Sequence, residues 1–230
     1  MSGCSPRTIE NRTGALNVLH RFAGDGLDGL DRPRLVAFFE TFRSAGRKPQ
    51  TVHTYVSIVH RFLRWCVEAE VLAADPLAGF TVRMPKTLPR VPTTDEVRAL
   101  IRACGTATLE AQRNRALVLL LADSGLRLSV AIRLRSEDLR FAERTVSVRQ
   151  GKGGKDRTAF MGPVTVQALR AYLARRGGAP EDFVFCYRDG RPMNRRHALQ
   201  IFHRLSKKAG LGWKIHPHSL RHFCGVSVLK

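Results

Sequence analysis

The last fifteen residues of the chain carry its densest group of side chains that could do chemistry. The stretch HPHSLRHFCGVSVLK, residues 216–230, places His218 and Arg221 three positions apart. Residues at that spacing share one face of an α-helix, and Pro217 suits the first turn of such a helix. An imidazole and a guanidinium aimed at one point can bind a phosphoryl oxygen and move a proton. The pattern therefore predicts a site for a phosphoryl group.

Metal ligation is the alternative chemistry for the same stretch. His216 and His218 flank a proline, and imidazole nitrogens are common metal ligands. No carboxylate accompanies them in the stretch, so a metal site is disfavoured. We expect neither a metal nor another cofactor.

Two further cations stand out in the second half of the chain. Arg127, in DSGLRLS, follows a very apolar helical segment, and either forms a structural ion pair or faces an anion. Lys152, in RQGKGGKDR, is predicted at the tip of a glycine-rich hairpin, where glycines permit close approach to a ligand and lysine supplies a mobile proton donor. An exposed tip kept in solution by lysine is the alternative. The spacing of a nucleotide-binding P-loop is absent.

Net charge indicates the kind of partner. The chain has 39 Lys and Arg against 19 Asp and Glu, a net charge of +20. Residues 1–85 hold 11 basic and 8 acidic residues, whereas residues 86–230 hold 28 and 11, a net charge of +17. Genomic preference for arginine would explain arginine in place of lysine, but it does not explain the shortage of acids. The excess predicts a nucleic acid partner.

The elements that must position these cations divide into two parts. Apolar residues at helical spacing and an absence of strand alternation predict a helical domain over residues 1–82. Residues 83–93 are rich in proline and basic side chains, which predicts an extended linker suited to following a phosphate backbone. A second domain is predicted over residues 94–230.

The second domain combines helices with a small amount of sheet. RTVSVRQ and RTAFMG alternate as two strands of a hairpin around the turn GKGGKD, and DFVFCYRDGRP is predicted as a further short strand ending in an Asp-Gly turn. The surrounding stretches have helical spacing, with glycine stops after several of them. The predicted class is α+β and mainly helical, with a small β-hairpin.

Cysteine usage and hydropathy concern the compartment. The five cysteines are scattered along the chain and include no C-x-x-C pair. This pattern disfavours a zinc site or a disulfide framework and favours buried thiols in a reducing cytoplasm. The longest apolar run, ALVLLLA at 116–122, is too short to span a bilayer, and the N-terminus lacks a secretory signal pattern. We therefore expect a cytoplasmic protein that does not associate with membranes.

The order SGLR, GKGGKDR and HPHSLRH, behind a basic helical domain, resembles the tyrosine recombinase (phage integrase) family. The resemblance covers nearly the whole chain, and the helical part with its LAADPLAGF tail is similar to the SAM-like core-binding domain of that family. It implies a helical core-binding domain followed by a mainly helical catalytic domain with a small sheet.

The resemblance also implies roles for the four cationic residues. Arg127 and Arg221 would hold the non-bridging oxygens of the scissile DNA phosphate, Lys152 would protonate the departing 5′-oxygen, and His218 would assist proton transfer. A tyrosine would attack and leave a 3′-phosphotyrosine. Fixed cations suit this chemistry because the phosphodiester transition state gains charge.

Double-stranded DNA is the partner that the resemblance implies. Members of the family assemble as tetramers on DNA, while we expect this chain by itself to be monomeric in solution. The residues expected to contact DNA outside the catalytic group are Lys48, Thr51, Arg83, Lys86, Arg90, Lys155 and Arg157.

Two departures from the family bear on activity. Val130 stands where the family usually has an acidic residue, and none of Tyr55, Tyr172 and Tyr187 matches the position of the nucleophile. We therefore expect a chain truncated before its nucleophile, which by itself does not cleave DNA. A DNA strand-exchange enzyme and a non-catalytic DNA-binding competitor of complete recombinases both remain open. A metal-dependent nuclease is disfavoured because no carboxylate cluster is visible.

Overall fold

Two compact units make up the protein, Met1–Thr87 and Leu88–Lys230. The computed structural model describes residues 4, 6–24, 26–27, 29–84, 88–149, 156–179 and 181–227. None of the helices in these ranges has the length and apolar character needed to span a lipid bilayer. The division between the units falls within the proline-containing stretch that the sequence indicates as a linker.

The first unit contains helices and no strand within its described residues. Its helices are α1 (Pro6–Ala23), α2 (Arg32–Ser44) and α3 (Pro49–Glu68). The Asp31 side chain accepts the backbone N–H of Arg34 at 2.9 Å and so caps the start of α2. The three helices pack around a core in which Leu35, Val59 and Leu63 have no exposed surface.

The tail after α3 folds back onto that core. The carboxylate of Asp75 accepts the backbone N–H of Leu77 at 2.9 Å and lies 2.8 Å from Nε2 of His60 on α3. Leu77 is fully buried in consequence. The LAADPLAGF stretch therefore closes the first unit.

The second unit is built around one apolar helix. Its helices are α4 (Thr94–Cys104), α5 (Leu109–Ser124), α6 (Leu128–Ala131), α7 (Pro163–Arg176), α8 (Arg195–Lys208) and α9 (Pro217–Ser227). Helix α5 is buried along most of its length and packs against α4, α7 and α9. Thr93 and Glu96 form a capping box at the start of α4, as the TTDE sequence predicts.

A three-stranded antiparallel sheet completes this unit. Its strands, in the order β1-β2-β3, are β1 (Leu139–Arg140), β2 (Thr145–Val148) and β3 (Arg157–Phe160). The pair β2–β3 confirms the predicted hairpin, with Val148 opposite Arg157 at its far end. The strand β1 was not predicted, because two residues are too few to show alternation. The glycine-rich tip, with Lys152 and Lys155, lies outside the described residues.

The prediction of a strand in DFVFCYRDGRP is wrong. The backbone there forms isolated bridges, Arg135 with Phe183 and Cys186 with Pro192, but no ladder. Val184 and Phe185 have no exposed surface, so packing against the core explains the apolar run. The predicted Asp-Gly turn is present, with Gly190 at a φ of +80°.

The buried thiol of Cys104 and the buried hydroxyl of Tyr172 predict a loss of stability at alkaline pH. Burial raises the pKa of the Cys104 thiol to about 12 and that of the Tyr172 hydroxyl to about 12, from ordinary values of 9.0 and 10.0. The unfolded chain ionises at the ordinary values, so their stabilisation is complete below the unfolded pKa and is lost as pH rises towards the folded one. We expect the urea midpoint to fall as the pH rises from about 9 towards about 12. The fall should be smaller in Cys104→Ala and Tyr172→Phe; an unchanged pH dependence in both would contradict this account.

Candidate phosphate-binding site

The site begins where the C-terminal end of α5 meets α9. Gly125 ends α5 in the left-handed conformation, at a φ of +57°, and its carbonyl oxygen accepts a hydrogen bond from Nη1 of Arg221. The Cys224 thiol donates to the carbonyl of Asp123 at 2.9 Å. A Cβ at position 125 would lie 3.2 Å from Sγ of Cys224, so both the backbone conformation and the close approach favour glycine.

An open cavity of about 580 Å³ lies beside this junction. Its walls are formed by Leu126, Arg127, Leu128, Ser129, Arg195, Leu199, His216, Pro217, His218 and Arg221. Three of the four predicted catalytic residues, Arg127, His218 and Arg221, thus line one cavity. They come from the α5–α6 connection and from α9, which the junction at Gly125 brings together.

Arg127 resolves one of the alternatives that its sequence context left open. Its side chain is exposed and forms no hydrogen bond or ion pair with any residue in the described ranges. It is therefore not a structural ion pair within that part of the chain. Its guanidinium is available to an anion entering the cavity.

The cavity concentrates positive charge. Burial lowers the pKa of Arg221, and the neighbouring charges of Arg127 and Arg157 lower it further. The positive charges of Arg127 and Arg157 thus repel that of Arg221 in the absence of a counterion. An anion bound among them would relieve the repulsion, which makes a phosphate group a suitable occupant.

The histidines of the site lie at its edge. His218 is exposed, and its ring packs edge-on against that of His222 with the centroids 4.6 Å apart. His216 is also exposed and lines the cavity. Within the part of the chain that the structure describes, no group of three or more His, Cys, Asp or Glu side chains could hold a metal ion.

Val130 is half-buried and packs against the hydrophobic core of the second unit. A carboxylate at this place would be poorly solvated unless it reached a polar partner. The side chain present therefore contributes packing and no charge to the neighbourhood of Arg127.

The residues expected to contact DNA are dispersed. Lys48 and Thr51 lie at the first turn of α3, where the backbone N–H of Thr51 donates to the carbonyl of Lys48 at 2.8 Å. Arg83 is exposed after the tail of the first unit, and Arg157 starts β3 near Arg221. Lys86 and Lys155 lie outside the described residues, as does the predicted catalytic Lys152.

Arg90 is placed differently from the other predicted DNA contacts. Its Nη2 donates to the carboxylate of Glu96 at 3.1 Å, and its guanidinium carbon lies 4.4 Å from the ring centroid of Trp213. One face of the Arg90 guanidinium and one of its N–H donors are therefore occupied within the second unit.

Arg195 is a cavity residue that the sequence prediction missed. It is the first residue of α8, whose start is capped by the Asn194 side chain accepting the backbone N–H of His197 at 2.7 Å. The MNRR stretch did signal a helix start with adjacent arginines. In a chain so rich in arginine, that signal does not tell which arginine faces the site.

The fold and the arrangement of the cavity agree with one protein family. Residues 90–230 match the family model described as the phage integrase family. This match covers more than half of the chain, and the chain belongs to this family of tyrosine recombinases. The resemblance noted from the three sequence motifs is confirmed.

The chain is similar along nearly its whole length to curated tyrosine recombinases. It is 32% identical over 235 residues to tyrosine recombinase XerC of Xylella fastidiosa strain M23, covering 99% of this chain and 79% of that protein. It is 28% identical over 210 residues to tyrosine recombinase XerD of Listeria innocua serovar 6a, covering 88% and 70% of the two chains. These relatives support DNA binding and site-specific recombination as the general function.

Solved structures show the same fold. A lambda integrase (75–356) dimer bound to a COC′ core site matches with a TM-score of 0.81 and 17% identity, covering 97% of this chain and 80% of that chain. The Tn1549 transposon integrase (82–397, Y379F) in complex with transposon right end DNA matches with a TM-score of 0.81 and 19% identity, covering 99% and 82%. The predicted fold class, mainly helical with a small sheet, is confirmed.

Proposed function

We propose that this protein binds duplex DNA and holds a backbone phosphate in the cavity lined by the α5–α6 connection, α6, α8 and α9. The observation that carries the proposal is the meeting of Arg127, His218 and Arg221 around one cavity in a member of the recombinase family. Two guanidiniums suit the two non-bridging oxygens of a phosphodiester, because each can offer paired N–H donors. His218 would move a proton to or from the reacting oxygens.

Three further groups complete the proposed chemistry. Lys152 of the glycine-rich turn would protonate the departing 5′-oxygen, a role taken from the family resemblance. Arg157 adds positive charge close to Arg221, and Arg195 adds a third guanidinium at the cavity wall. Fixed cations of this kind stabilise the charge that develops on a phosphodiester in the transition state.

DNA contacts outside the cavity are proposed on both units. Lys48 and Thr51 would bind phosphates at the start of α3, and Arg83 and Lys86 would do so along the stretch between the units. Lys155 would contact the DNA backbone as well. The net charge of +17 on residues 86–230 supports phosphate contacts as the main source of affinity.

We further propose that the 230-residue chain by itself does not cleave DNA. All three of its tyrosines are engaged elsewhere, and none lines the cavity. The Tyr55 ring lies 4.4 Å from that of Phe42, Tyr172 is 1% exposed, and the Tyr187 hydroxyl accepts the backbone N–H of Asn194 at 3.4 Å. None of the three tyrosine hydroxyls is therefore placed to attack a phosphate held by Arg127 and Arg221.

A nicked suicide substrate tests both parts of this proposal. The duplex should bind and shift in a mobility assay, and no covalent protein–DNA adduct should survive denaturation. A covalent adduct would disprove the claim of inactivity. Absence of any shift would disprove DNA binding itself.

A non-catalytic competitor of complete recombinases is the second candidate, favoured by the same lack of a tyrosine at the cavity. In a recombination reaction run by a full-length relative, added chain should lower the yield in proportion to its occupancy of the site. An unchanged yield at saturating chain would exclude this role.

We propose that the free chain is monomeric, which light scattering would test, and that it works in the cytoplasm, where its DNA partner is.

A further inference from the structure

A cluster of three side chains lies on the second unit outside the walls of the cavity: Arg90, Glu96 and Trp213. The indole Nε1 of Trp213 donates to Oε1 of Glu96 at 2.7 Å, and Nη2 of Arg90 donates to the same oxygen at 3.1 Å. The guanidinium of Arg90 also lies over the indole ring, with its carbon 4.4 Å from the centroid. We call this cluster the clasp.

The remaining oxygen of Glu96 ties the clasp to the start of α4. Oε2 accepts the backbone N–H of Thr93 at 2.9 Å, so both carboxylate oxygens are engaged. Burial by itself raises the pKa of Glu96, but the hydrogen bonds from Thr93 and Trp213 and the charge of Arg90 lower it overall. The carboxylate is therefore ionised at neutral pH, and its bond to the indole is charge-assisted.

The position of Trp213 gives the clasp its significance. Trp213 belongs to the connection between α8 and α9, three residues before His216 and five before His218. Two residues beyond it, the backbone N–H of the fully buried Ile215 donates to Oγ of Ser206 at 3.1 Å. These two anchors, one at Trp213 and one at Ile215, fix the path by which the chain enters α9.

We propose that Trp213 is a positioning residue for the phosphate-binding cavity, held in place by Glu96 and Arg90. The connection that it anchors leads directly into the helix that carries His218 and Arg221. One face of the Arg90 guanidinium lies on the indole ring and one of its donors is bonded to Glu96, so Arg90 helps to hold the indole in place. The inference deepens the proposed function and rests on it, because it assumes that the cavity binds a phosphate.

Inorganic phosphate is the probe for the test, and the imidazole signal of His218 in a histidine-labelled chain is the readout. Trp213→Phe keeps a ring beneath Arg90 but removes the N–H donor, and Glu96→Ala removes the acceptor. We expect both to displace the His218 signal and to weaken phosphate binding by about tenfold, as the loss of about 1.4 kcal/mol implies. Glu96→Gln keeps an acceptor oxygen for the indole and should retain most of the affinity.

Thr93→Ala is the matched control. It removes the side-chain cap at the same end of α4 but leaves the bond between Trp213 and Glu96 intact. We expect it to lower the melting temperature without moving the His218 signal or the phosphate affinity. Equal effects of Thr93→Ala and Trp213→Phe would reduce the clasp to a general stabilising role and overturn the proposal. So would an unchanged His218 signal in Trp213→Phe.

Failure of the proposed function gives a different result. If Arg221→Gln leaves phosphate binding intact in the otherwise unchanged chain, the cavity is not the phosphate site. The displacement of the His218 signal by Trp213→Phe, compared with Thr93→Ala, would still decide whether the clasp positions α9.

Discussion

Affinity for duplex DNA should fall by about 10³–10⁵ between 50 and 200 mM salt, the loss expected for six to ten phosphate contacts. The reason is that each phosphate neutralised by a lysine or arginine releases condensed counterions, and the favourable entropy of that release becomes smaller as the salt concentration rises. Anisotropy of a labelled duplex, measured across that range, gives the slope directly. A nearly flat response would mean that the net charge of +20 does not serve DNA binding.

Matched arginine variants locate those contacts. Arg127→Gln and Arg221→Gln should each reduce the slope of log affinity against log salt by about 0.9. Arg188→Gln is the matched control, because it removes the same charge outside the cavity. Nη2 of Arg188 lies 2.9 Å from the carboxylate of Glu110, at the start of α5. That end of the helix is about 20 Å along the axis from the end next to the cavity. The Arg188 variant should leave the slope unchanged. If all three variants reduced it equally, the effect would come from net charge and not from the cavity.

Truncation of Leu120 to alanine should destabilise the second unit by about 2–5 kcal/mol, a large part of the stability of an ordinary domain. Leu120 lies in the C-terminal half of α5 and has no exposed surface, so the truncation leaves a cavity in the core. Urea unfolding in a Trp65→Phe background measures this unit alone, because Trp213 is then the remaining tryptophan.

The same substitution at an exposed leucine is the control. Leu88 is 95% exposed, so Leu88→Ala should change the free energy of unfolding by no more than about 0.5 kcal/mol. Similar shifts of the urea midpoint in Leu88→Ala and Leu120→Ala would mean that α5 is not the centre of the core.

Helix boundaries were predictable because their signals are local. Thr93 and Glu96 satisfy donors within one turn of α4, and Gly125 stops α5 by adopting a conformation that other residues avoid. The hairpin β2–β3 was equally readable, since alternation and a glycine-rich turn identify it. The DFVF segment was misjudged because an apolar run has the same composition in a buried loop and in a buried strand.

The sequence by itself determined the chemistry that is available to this protein. The excess of basic residues, the order of the three motifs and the spacing of His218 and Arg221 follow from the chain and need no coordinates. They are enough to predict a phosphodiester as the substrate class and to predict that none of Tyr55, Tyr172 and Tyr187 is the family's nucleophile.

Only the tertiary structure decided which of the many arginines share the site. Arg221 reaches Gly125 across 96 residues of chain, Arg195 joins the same cavity from α8, and Arg90 turns to Trp213. Local sequence cannot reveal such meetings, because spacing sets the hydrogen bonds of one helix while the packing of several helices sets which side chains converge. The local sequence around an exposed arginine does not indicate which residue it contacts. Its partner depends on which helices the packing of the core places next to it.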